Sequence, residues 1–146
     1  MELYIVLCVI VLAMVYVAYN YFKIKKMDEG TAEMAEMAGI IRSGAAEFLK
    51  TEFKTITIVV LLVAAVFTLF IEKTSGITFV MGSLMSSAVC ILGMSSATYA
   101  NVRTANKSRE SLSIGETVKV ALCGGSISGL SVQAFGMLGM VLVLSL

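Results

Sequence analysis

Residues 3–22 read LYIVLCVIVLAMVYVAYNYF, twenty positions without a charge. A hydrocarbon core about 30 Å thick needs about 20 residues of α-helix to cross it. The run therefore has the length of one membrane span. A cleavable secretory leader is a poorer reading, because such leaders open on basic residues and carry an apolar centre of only about 7–15 residues. Here the run opens after the acidic Glu2, is too long, and closes on Lys23, Lys25 and Lys26. An uncleaved first span with its N-terminus outside is expected.

Working outward, three more apolar runs follow at 55–71, 77–100 and about 123–146. None alternates apolar with polar residues, and an open sheet edge cannot sit in lipid, where backbone groups find no water. The expected fold class is therefore all-α: a polytopic transmembrane helix bundle of about four membrane-spanning helices. The composition agrees. Apolar residues make up 58% of the 146 positions, charged residues 14%, and mean hydropathy is +0.93. Soluble domains carry about a quarter charged residues. There is no proline to break a helix, and the net charge of +1 gives no reason to expect a nucleic-acid partner. Cys8, Cys90 and Cys123 match no metal or redox spacing, and no histidine could complete one.

Orientation follows from the basic residues. Segment 23–54 holds Lys23, Lys25, Lys26, Arg42, Lys50 and Lys54, and segment 101–119 holds Arg103, Lys107, Arg109 and Lys119. The turn at 72–76 holds only Lys73. Positive residues stay on the cytoplasmic side, so 23–54 and 101–119 are expected to be cytoplasmic. The plasma (inner) membrane is the expected location. In the first segment Met34, Met37, Ile41, Ala45 and Phe48 recur at helical spacing. Glu33 and Glu36 near its start and Lys50 and Lys54 near its end suit the helix dipole, and Thr31 is placed to cap it. A cytoplasmic helical extension running straight into the second span is expected. Spans three and four are rich in small residues, among them Gly93, Ser95, Ser96 and a Gly125–Gly129 step, the pattern that lets helices approach closely in lipid.

Chemistry is sparse. No span contains Asp, Glu, Lys, Arg or His, although ion pathways use such groups inside the bilayer. Gln133 is the most polar span residue and reads as an interhelical hydrogen-bonding group. Asp28 is the one aspartate, and Glu33, Glu36, Glu47 and Glu52 are too dispersed for a metal cage. Gly124-Gly125-Ser126 opens an apolar span and reads as packing. No catalytic, cofactor-binding or metal-binding residue is assigned. A small proton-coupled carrier would need a carboxylate within the membrane. A non-enzymatic four-helix module packing against a larger partner needs none, and the small-residue faces suit it.

Two stretches carry a resemblance. Ile41-Arg42-Ser43-Gly44-Ala45-Ala46-Glu47-Phe48-Leu49-Lys50-Thr51-Glu52-Phe53-Lys54-Thr55-Ile56 resembles the helix entering the second span of membrane-bound, proton- or sodium-pumping inorganic pyrophosphatases. Ala100-Asn101-Val102-Arg103-Thr104-Ala105, followed by Gly124-Gly125-Ser126-Ile127-Ser128-Gly129-Leu130-Ser131-Val132, is similar to that family's loop before the fourth span and to the start of that span. The resemblance implies a homodimeric pump of about sixteen spans that hydrolyses pyrophosphate with Mg2+ at its cytoplasmic side and moves H+ or Na+. It also implies that the acidic catalytic motifs follow the fourth span, so this stretch is scaffold, is expected to be inactive alone, and belongs with the remaining helices of the pump. Leu146 closes an apolar run without a polar flank, as a truncated chain would.

Overall fold

The computed structural model describes residues 2–144 and contains four helices. They are α1 (Glu2–Lys25), α2 (Ala32–Phe70), α3 (Lys73–Ser111) and α4 (Ile114–Leu144), all long and apolar enough to cross a membrane. Among the described residues there is no strand. Residues 145 and 146, the end of the fourth expected span, lie outside the described residues.

The segment before the second run is helical and continuous with it. At 39 residues, α2 is about 58 Å long, given 1.5 Å per residue. Thr31 caps it, its side-chain oxygen accepting from the Met34 N–H at 3.3 Å. Segment 101–119 is mostly helix too: α3 runs on to Ser111 and α4 starts at Ile114. The break falls at Leu112, a non-glycine residue in the left-handed region at φ 49°.

The helices do not pack in chain order. α3 lies between α2 and α4, and α1 folds back onto α4 and the edge of α3. Among the described residues α2 packs on no helix but α3. The core lies where α1, α3 and α4 meet, around Val17, Ile24, Ala100 and Ile127. An edge-on contact of Tyr21 against Tyr99 continues it, and a second, Phe67 against Phe79, joins α2 to α3 near their shared turn.

Small residues close the α3–α4 contact, and Gly124 rather than the Gly125–Gly129 step makes it. A Cβ on Gly124 would lie 2.5 Å from that of Ala100, whereas Gly125 and Gly129 face open space among the described residues. Helical geometry explains the difference. The buried face of α4 is Val120, Gly124, Ile127, Ser131 and Ala134, and a one-residue step turns a side chain about 100° away from it. Among the described residues the exposed Gln133 side chain makes no hydrogen bond; the buried span amide among them is Asn20, which donates to Ser126 Oγ at 3.3 Å. On α2 the buried residues are Ala38 and Ala64, while Met37 and Phe48 remain exposed.

Gly124→Ala should therefore cost about 2 kcal/mol through overpacking, while Gly125→Ala should be near neutral. Thermal unfolding of both variants in detergent reads the contrast.

Candidate functional site

The densest polar contacts lie where the α1–α2 connection, 26–31, crosses α2 and α3. Gly30 shapes the connection. Its φ of +94° favours glycine, and a Cβ there would meet Asn106 Oδ1 at 2.6 Å and Met34 Sδ at 2.9 Å. Asp28 Oδ1 accepts from the Gly30 N–H at 3.1 Å and tightens the turn. The bend aims Glu29 between two arginines from different helices.

Arg42 of α2 grips the Glu29 carboxylate with both terminal nitrogens, at 2.7 and 2.9 Å. Such two-point pairs fix angle as well as distance. Arg103 of α3 reaches the same carboxylate at 3.0 Å. Arg103 is 5% exposed, and its donors also serve the carbonyls of Met27 at 3.0 Å, Tyr99 at 3.0 Å and Lys25 at 3.1 Å. Below them the Tyr99 ring stacks against Arg42 at 4.9 Å and Arg103 at 5.4 Å. One carboxylate thus ties the connection, α2 and α3 into a single clasp.

The electrostatics define what the clasp can do. The Arg42 hydrogen bond, aided by the charges of Arg42 and Arg103, holds the Glu29 carboxyl down at about 2. A carboxylate so acidic stays ionised near neutral pH and cannot shuttle protons there. The arrangement fixes geometry.

Beside it a cavity of about 410 Å³ opens between α1, α3 and α4. Its carboxylates, Asp28, Glu110 and Glu116, are interleaved with Lys23, Lys107 and Lys119. Glu116 pairs with Lys119 at 2.8 Å and Glu110 accepts from Asn106 at 3.0 Å. Among the described residues no group of three His, Cys, Asp or Glu is placed to hold a metal ion, so these residues do not fit a magnesium site. The dispersed glutamates Glu33, Glu36, Glu47 and Glu52 all lie exposed along α2.

Arg42 and Arg103 stand in the two stretches that carry the family resemblance, and the structure brings them onto one carboxylate. The family model described as inorganic H+ pyrophosphatase matches residues 11–146. The chain belongs to the H+ pyrophosphatase family. Among relatives, a K(+)-stimulated pyrophosphate-energized sodium pump of Thermotoga maritima is 42% identical over 131 residues, covering 90% of this chain and 18% of that protein. A putative pump of the same description from Clostridium tetani is 35% identical, over 89% of this chain and 19% of its own length. A K(+)-insensitive pyrophosphate-energized proton pump of Moorella thermoacetica is 34% identical, over 88% and 19%. The chain thus spans about a fifth of the length of these members of the family.

Glu29 and Tyr99, the centre and the floor of the clasp, escaped the reading of the sequence. The available signal was charge balance: each arginine was followed as a topology marker, and a buried guanidinium requires a counter-anion.

Glu29→Gln should cost about 3 kcal/mol, because it leaves the buried Arg103 without its charge partner. The folded carboxyl lies near 2 and the ordinary value is 4.5. Its stabilisation is therefore complete above pH 4.5 and fades as pH falls towards 2. The gap in unfolding midpoint between parent and Glu29→Gln should narrow over that window.

Proposed function

We propose that this chain is the N-terminal scaffold of an ion-translocating pyrophosphatase, whose complete form couples hydrolysis of inorganic pyrophosphate to movement of H+ or Na+. The observation that carries this reading is the family match over residues 11–146, joined to four helices long and apolar enough to cross a membrane. The magnesium and pyrophosphate sites are assigned to the part of the pump beyond this fifth of its length, as is the second copy of a homodimer. Gly125, Gly129 and Gly136 lie along an uncovered side of α4 with open space beside them. That side suits close packing of further helices.

The orientation proposed is N-terminus outside, with the clasp at the cytoplasmic surface. It is supported by ten of the eleven Lys and Arg residues lying in 23–54 and 101–119. On this topology, the apolar runs at 3–22, 55–71, 77–100 and 123–146 belong to spans that alternate across the membrane.

The 146-residue chain, purified in detergent and supplied with magnesium and pyrophosphate, should release no phosphate above blank. Robust turnover would show that catalysis lies within it. A full-length pump carrying Glu29→Gln should bind magnesium pyrophosphate unchanged and lose activity only as its unfolding temperature falls. A selective loss of substrate binding would contradict the scaffold role.

A further inference from the structure

Contacts between the helices show which residues stand level. Tyr21 of α1 meets Ser95 of α3 at 3.0 Å, and Ser96 meets Gly124 and Ser128 of α4 at 3.3 Å. Arg42 of α2 lies over the Tyr99 ring at 4.9 Å. These contacts mark one plane, about a helical turn thick, across the four helices. Towards the opposite end, Phe67 of α2 meets Phe79 of α3 at 5.2 Å. α2 and α3 therefore run side by side along their length, and no tilt of α2 alone can change the match.

From that plane towards the α2–α3 turn, three helices carry no charge: 3–22 of α1, 74–102 of α3 and 120–144 of α4. α2 is different. Glu47, Lys50 and Lys54 follow Arg42 by five, eight and twelve residues, which places them roughly 7, 12 and 18 Å deeper. The middle of a bilayer core lies about 15 Å in. The three residues fall three and four apart on one face, while Ala45, Leu49 and Phe53 occupy the side towards α3. The side chains of Glu47 and Lys50 are 72% and 77% exposed and pair at 3.4 Å. Near that depth, roughly 9 Å from Tyr21 along α1, stands the exposed, apolar Val15.

Charged side chains at such depth face protein or water, not acyl chains. We propose that the outer face of α2 from Glu47 to Lys54 borders a water-filled recess, which enters the membrane from the basic side while α1 meets lipid at the same depth. The recess ends where this face turns apolar, at Ile58, Leu61 and Leu62, all more than half exposed. The inference rests on the chain spanning a membrane, which retention after alkaline carbonate extraction checks separately.

The test is thiol accessibility in membrane vesicles exposing the basic side, with Cys8, Cys90 and Cys123 replaced by serine. A charged, membrane-impermeant maleimide should modify Lys50→Cys and Lys54→Cys about tenfold faster than Val15→Cys or Leu61→Cys, as water and lipid contact respectively require. Protection of positions 50 and 54 to the level of Val15→Cys would overturn the recess. Equal, fast modification of Val15→Cys would overturn it too, by placing the bilayer surface below that depth. Labelling after SDS denaturation confirms that each thiol is present, and Glu47→Cys serves if either lysine variant fails to insert.

Discussion

Gly124 and Ala100 set the distance at which α3 and α4 pass, and the other helices are arranged around that contact. Within lipid no hydrophobic force draws helices together, so close backbone approach and interhelical hydrogen bonds must hold them. A side chain at Gly124 would fill the space taken by Ala100. With the backbones this near, Ser96 Oγ reaches the Gly124 carbonyl across the interface at 3.3 Å. α1 then lies in the groove the pair creates, with Ile24 and Ile127 almost fully enclosed.

The clasp works on a different principle at the end of the same bundle. There, charges substitute for close packing, and one glutamate satisfies two guanidinium groups from separate helices. The arginines have little other freedom, since Arg103 is also committed to three backbone carbonyls. The position of α2 on α3 is thereby fixed near its start by ionic contacts and near its end by Gly76 pressing on Thr68 and Ala64.

Much of this was legible in the sequence. Charge-free runs gave the four helices because run length and bilayer thickness are directly comparable, and Thr31 was recognisable as a cap because capping is local. The family was legible in the surroundings of Arg42 and Arg103. Features that depend on helix rotation were not. Gly125 and Gly129 have the right spacing, yet Gly124 makes the contact, one position and a quarter turn away. Asn20 and Gln133 look alike in a string, and only the fold buries one of them. Glu29 was hidden for a further reason: its partnership with Arg103 crosses half of the chain, and spacing rules do not reach that far.

The connections between α2 and α3 and between α3 and α4 are only two residues each, at 71–72 and 112–113. Loops so short close at little entropic expense, so each neighbouring pair zips up as soon as both members exist. Arg103 meets Met27 across 76 residues, and it cannot do so until α3 has been synthesised. The ionic latch therefore waits for α3, the packing of α1 on α4 waits longer still, and the finished order of helices differs from the order in which the ribosome makes them.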